Sequence, residues 1–145
     1  MSFSTFSGPL RSGTVKEGAG RNTGNPVLVQ STAVVATTLT GTAAILPAGA
    51  QIVSATFYTT TLFNAATTAK LTIGATDITA AVTVTSAGAY TLTFAAGGIA
   101  LINNVGTTDA TVSYTLAGTI ATGNGTIVIQ YVQRADNGAQ FPAQG

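Results

Sequence analysis

After residue 26 this chain alternates apolar and hydroxylated residues one for one, and a side-chain period of two fits a β-strand and little else. Tyr90, Leu92 and Phe94 alternate with Thr91, Thr93 and Ala95, and Val112, Tyr114 and Leu116 alternate with Ser113 and Thr115. Leu71 with Ile73, Val82 with Val84, and Ile127 and Ile129 with Tyr131 repeat the pattern. No window has comparable helical spacing. Threonine at every second place favours strand over helix because its β-branch stiffens χ1, and it predicts a sheet face turned to water.

Turn residues punctuate these runs. Leu46-Pro47-Ala48-Gly49 separates a strand ending near Ile45 from one starting near Gln51, and Ala87-Gly88-Ala89 precedes the Tyr90 run. Gly97-Gly98 and Asn103-Asn104 bracket a short apolar piece, 99–102. Asn124-Gly125 is expected to turn a hairpin, since both residues accept positive φ, and this reading outweighs the glycosylation sequon formed with Thr126. The expected strands are 27–38, 42–46, 51–63, 69–74, 77–85, 89–95, 99–102, 109–120 and 126–133. Many short strands with regular turns predict an all-β fold, an antiparallel β-sandwich or jelly roll. Its expected core is Val29, Val35, Ile52, Phe57, Leu71, Ile73, Val84, Leu92, Phe94, Val112, Tyr114, Ile127 and Ile129.

The 145 residues are enough for one domain with a real core. Three segments are expected: an extended N-terminal arm over 1–26, a sandwich body over 27–134 and an irregular tail over 135–145. The arm holds three of the five basic residues, Arg11, Lys16 and Arg21, and five glycines. Its glycine runs, 8–14 and 18–24, resemble phosphate and dinucleotide loops only in outline. The first lacks the lysine such a loop needs, the second misses the spacing by one residue, and neither has a strand-then-helix context.

Composition argues against catalysis. With neither histidine nor cysteine, the chain lacks the commonest general base, the commonest metal ligand and any disulfide. Its four carboxylates, Glu17, Asp77, Asp109 and Asp136, are scattered, so neither an acid/base pair nor a metal cage is expected. The abundant hydroxyls have only Lys16 and Lys70 as candidate bases for a nucleophile, and they read as strand formers. No enzyme and no cofactor are expected. Charged residues make up 6% of the chain and the net charge is +1, which gives no footprint for nucleic acid. No signal-peptide pattern opens the chain, and no apolar run approaches the roughly 20 residues of a membrane-spanning helix. So little charge leaves a lone monomer poorly protected against association, so a homo-oligomer is expected.

Phe3, Phe6 and Leu10 form the apolar face of the arm, and two readings stand side by side: the arm is disordered or tucks them onto its own sandwich, or they anchor in pockets of a partner with Arg11 as a planar hydrogen-bonding group. Fixing some 20 residues costs on the order of 20 to 40 kcal/mol in backbone entropy, whereas burying three large apolar side chains returns about 5 to 9 kcal/mol. The anchors therefore need backbone pairing, such as strand addition to a partner sheet. Tyr58, Tyr90, Tyr114 and Tyr131 could form a sugar-binding platform, but they lie on separate strands, and at least two read as core or interface residues with a hydroxyl reaching a polar neighbour.

The segments S-G-P-L-R-S-G-T (7–14), N-T-G (22–24) before V-L-V-Q (27–30), I-L-P-A-G-A-Q-I-V (45–53), L-T-I-G (71–74), A-G-A-Y-T-L-T-F (87–94), N-N-V-G-T-T-D-A-T-V-S-Y-T-L (103–116) and G-N-G-T-I-V-I-Q-Y-V (123–132) together resemble small virion proteins of tailed bacteriophages. The resemblance is to capsid decoration (cement) and head-fibre proteins. It implies a non-catalytic sandwich or jelly-roll body, usually a homotrimer, made in the host cytoplasm and seated on the outer capsid surface of the virion. The implied partners are the major capsid protein and copies of itself, with no nucleic acid and no membrane. On this reading the capsid-binding residues are Phe3, Phe6, Pro9, Leu10, Arg11, Lys16 and Arg21. The alternative is a head-fibre or tail-associated host-recognition module that binds glycan through loops of the body.

Overall fold

The computed structural model describes residues 26–64 and 66–133. Nine strands form two antiparallel sheets: β1 (Leu28–Val35), β2 (Thr40–Leu46), β3 (Ala50–Thr61), β4 (Thr68–Ile73), β5 (Thr76–Asp77), β6 (Val82–Thr83), β7 (Gly88–Thr91), β8 (Ala110–Ala117) and β9 (Asn124–Gln133). One sheet has the order β1-β9-β3-β7 and the other β2-β8-β4-β5, with β6 also on β4. The first strand thus pairs with the last and the second with the last but one. This nested order forms the expected sandwich.

Leu28 lies opposite Tyr131, so the chain enters and leaves the body side by side. Pro47 to Ala50 makes the expected corner between β2 and β3: Ala50 N–H donates to Pro47 O at 3.1 Å, and Gly49 supplies the positive φ of 76° that a type II turn needs.

The core lies between the sheets and centres on Phe57, fully buried and edge-to-face with Phe63 at 5.8 Å. Around Phe57 are Leu46, Leu71, Ile78, Val84, Leu92, Val112, Ile127 and Ile129. Most of the expected core is there, with Ile73 and Phe94 half-buried against it. Val29 and Val35 are not, being 54% and 40% exposed. On β1 the even positions face inward, and two of them are polar. Gln30 Nε2 donates to Ile45 O at 2.7 Å, Ile45 N–H donates to Gln30 Oε1 at 3.0 Å, and Thr32 Oγ1 donates to Ala43 O at 2.8 Å. The strand is thus phased by bonds to the neighbouring edge, and its valines are left outside.

Those bonds bridge β1, an edge of one sheet, to β2, an edge of the other. On the opposite flank backbone closes the gap: Ala80 N–H donates to Thr93 O at 2.8 Å, and Ala95 N–H to Ile78 O at 2.9 Å. Both flanks of the sandwich are therefore bridged.

Three further expectations are corrected. Residues 99–102 lie in a short helix, α1 (Ile99–Asn103), following a 3₁₀ turn (Ala96–Gly98). An apolar run this short carries no decisive period, and as a helix it buries Ile102 while exposing Ile99. The expected strand 77–85 is interrupted, leaving β5, a single bridge at Thr79 and β6. Asn124-Gly125 is the start of β9 and not a hairpin, because β8 and β9 lie in different sheets. A Cβ at Gly125 would sit 2.6 Å from both Phe57 Cε1 and Tyr58 O, so close packing accounts for this glycine. The turn chemistry belongs to Gly118 and Gly123, with φ of 132° and 133°.

Candidate functional site

Phe3, Phe6, Pro9, Leu10, Arg11, Lys16 and Arg21 lie outside the described residues. What the structure positions is the surface of the body, set by the alternation of each strand.

Among the described residues the charged side chains are Lys70, Asp77 and Asp109. Lys70 Nζ pairs with Asp77 Oδ1 at 2.8 Å across β4 and β5. Asp109 Oδ1 accepts the Ala48 N–H at 3.1 Å at the Pro47 corner. Each carboxylate is thus engaged in holding a turn or a strand pair. Among the described residues no group of three or more His, Cys, Asp or Glu could hold a metal ion.

The buried hydroxyls are likewise structural. Thr59 Oγ1 donates to Val84 O at 3.2 Å, Thr67 Oγ1 donates to Asn64 O at 3.1 Å, and Thr79 Oγ1 accepts Leu71 N–H at 2.9 Å. None has a general base as its partner.

The tyrosines do not assemble into a platform. Tyr114 is buried, which pushes its phenol pKa up, and its hydroxyl faces Thr38 O at 3.4 Å. Tyr131 is buried with its hydroxyl near Gln30 Nε2 at 3.3 Å, and Tyr90 ties its hydroxyl to Ser86 O and N–H. Tyr58 alone is turned outward, at 44% exposure.

The two outer faces differ. That of the β2-β8-β4-β5 sheet carries Thr42, Ile45, Thr111, Thr115, Thr72 and the Lys70–Asp77 pair, so hydroxyls and charge dominate. That of the β1-β9-β3-β7 sheet carries Val29, Val35, Val53 and Tyr58 exposed, with Val128 half-buried between β1 and β3 and Val132 half-buried opposite Gln51 on β3. No ionised side chain stands among these strands. The scarcity of charge was legible from composition, but which face lacks it among the described residues depends on strand pairing.

The loops at the far end are tied down. Asn64 Oδ1 accepts from Ala121 N–H at 2.7 Å and Thr122 N–H at 2.9 Å, while Nδ2 donates to Thr119 O at 3.2 Å. Phe63 packs against Gly123 where a Cβ would lie 2.3 Å from its ring.

Two bridged antiparallel sheets define the described residues as an all-β sandwich. No family model and no curated protein matches its sequence. Two solved structures share the fold. One is a chain of the cyanophage Pam1 capsid asymmetric unit, with a TM-score of 0.52 and 19% identity, covering 90% of this chain and 98% of that one. The other comes from the acidic stable capsid structure of the Helicobacter pylori bacteriophage KHP30, with a TM-score of 0.50 and 12% identity, covering 73% of this chain and 86% of that one.

Proposed function

We propose that this chain is a structural protein of a phage virion, a decoration or cement protein that seats on the outer surface of the head and stabilises the capsid. The supporting observation is the likeness to the Pam1 capsid chain: it spans nearly all of both chains, so what is alike is a whole capsid component and not a shared fragment. The nested strand order, which we read as a jelly roll, fits this role. So does a body in which Asp109 and the buried hydroxyls bond the backbone and Asp77 pairs with Lys70.

In the proposed mechanism several copies, three in the simplest arrangement, sit together on the coat. Residues 1–26 of each reach across neighbouring coat subunits. Phe3, Phe6, Pro9 and Leu10 supply apolar anchors, while Arg11, Lys16 and Arg21 meet coat carboxylates or backbone oxygens. Once one arm is attached, the others bind as intramolecular partners, so modest single contacts combine into tight attachment.

Removal of residues 1–25 tests this reading by cosedimentation with emptied capsids. The truncated protein is expected to keep its β circular-dichroism spectrum and to lose capsid binding. Undiminished capsid binding would overturn the arm mechanism. Glycan binding that survives the deletion, with no capsid binding by the full chain, would overturn the decoration role in favour of host recognition.

A further inference from the structure

We infer that the outer face of the β1-β9-β3-β7 sheet is the surface by which this chain packs against further copies of itself. This rests on the multi-copy reading proposed above and assigns it a surface.

Strand pairing sets the outward apolar residues on one face, interleaved with uncharged polar residues. Val29 is opposite Gln130 on β9, which faces Ser54 on β3, and Val35 is opposite Asn124. Val128 sits between Ser31 and Thr56, on the central strand. Val53, at the β3 bulge, and Tyr58 extend the same face, at 46% and 44% exposure. On the opposite sheet Ile45 is the exposed large apolar residue, set among threonines and the Lys70–Asp77 pair.

Charge decides the occupant. Burying an unpaired ion costs several kcal/mol, and among the described residues this face has none to bury. Two copies of it can meet at any angle without like-charge repulsion. A partner selected by complementary charge finds nothing here to read. Part of the sheet edges is already occupied, because Gln30 and Thr32 bond the β2 backbone at Ile45 and Ala43 and the 78–80 and 93–95 segments bond to each other.

Its size fits a contact that is weak alone. Eight residues of strand at about 3.3 Å each and four strands at about 4.8 Å spacing give a flat footprint on the order of 500 Å². A standard interface covers about 800 Å² on each partner. Copies held on a common support would gain the rest through effective concentration.

The test is sedimentation velocity of the full chain over a wide concentration range, alongside Val29→Lys, Tyr58→Lys and, on the opposite face, Thr111→Lys. All three positions are exposed, and an unchanged circular-dichroism spectrum confirms that each variant is folded. The wild type is expected to assemble as concentration rises. V29K and Y58K should each weaken assembly at least tenfold, and T111K should assemble like the wild type. An assembly indifferent to V29K and Y58K overturns the face assignment while leaving the multi-copy reading in place. A wild type that stays a single chain throughout overturns both.

Discussion

The side chain of Gln30 holds both backbone polar groups of Ile45, accepting from its N–H at 3.0 Å and donating to its carbonyl oxygen at 2.7 Å. A glutamine carboxamide has the donor and acceptor of a peptide group, so at this point β2 meets what a neighbouring strand would offer. Gln30→Ala should lower stability by about 1 kcal/mol, the net worth of ordinary hydrogen bonds at a partly solvated site. Gln30→Glu should cost more, because a carboxylate oxygen would face Ile45 O. Urea midpoints rank the variants, and light scattering should show both aggregating sooner than the wild type as the β2 edge is uncovered.

Gly125 should not tolerate a side chain despite lying in regular strand. Gly125→Ala places a methyl group 2.6 Å from Phe57 Cε1 and Tyr58 O, and overpacking of this kind costs roughly 1 to 3 kcal/mol or more. Gly74 is the contrast, because its φ is 58° and nothing lies within 4 Å of its would-be Cβ. Gly74→Asn should be nearly neutral, since asparagine accepts that conformation. Thermal unfolding of the two variants checks the difference.

Tyr114 should make the fold sensitive to alkali. Burial raises its pKa in the folded chain above the ordinary 10.0, so the unfolded chain releases that proton first as pH rises. The stability this neutral phenol contributes is complete below the unfolded pKa and is lost as pH climbs through the folded value. Tyr114→Phe should remove that component and flatten the alkaline limb of a stability-versus-pH curve. At neutral pH it should cost under about 1 kcal/mol, because the hydroxyl's bond to Thr38 O is long, at 3.4 Å.

Asn64 should control the 119–122 segment. Asn64→Ala removes all three side-chain bonds, and the amides of Ala121 and Thr122 are expected to exchange with solvent faster. Asn64→Asp keeps acceptors for both amides but loses the donor to Thr119 O, so their protection should be retained while stability falls by about 1 kcal/mol. Hydrogen exchange at those amides separates the two outcomes.

Alternation in the sequence revealed the sandwich because each strand buries one side against a single core. It located most of the central strands and the Pro47 corner, including Phe57, Leu71, Val112, Ile127 and Ile129. It misphased β1, where Val29 and Val35 look like core but Gln30 and Thr32 take the inward positions to bond β2. A rule that turns apolar residues inward has no means of finding a polar side chain acting as a strand substitute. Phe63, Ile78 and Leu46 were missed as core because they lie at strand ends or in the interrupted stretch after β5, where the period breaks. Asn124-Gly125 carried a hairpin signal, while the glycine there was required by Phe57, a contact distant in sequence. The proposed coat-binding residues lie outside the described part of the chain, and the uncharged face emerged only when β1, β9 and β3 were set side by side.

With Leu28 and Tyr131 on adjacent strands, a short peptide splicing Gln133 to Val27 would need to span little more than one strand spacing. The chain could then be reopened between Ala87 and Gly88, both exposed, where Gly88 has open space around its Cβ position. Such a circular permutant should keep every strand pair, and a foreign peptide inserted at that bend would project from the pole opposite Leu28 and Tyr131.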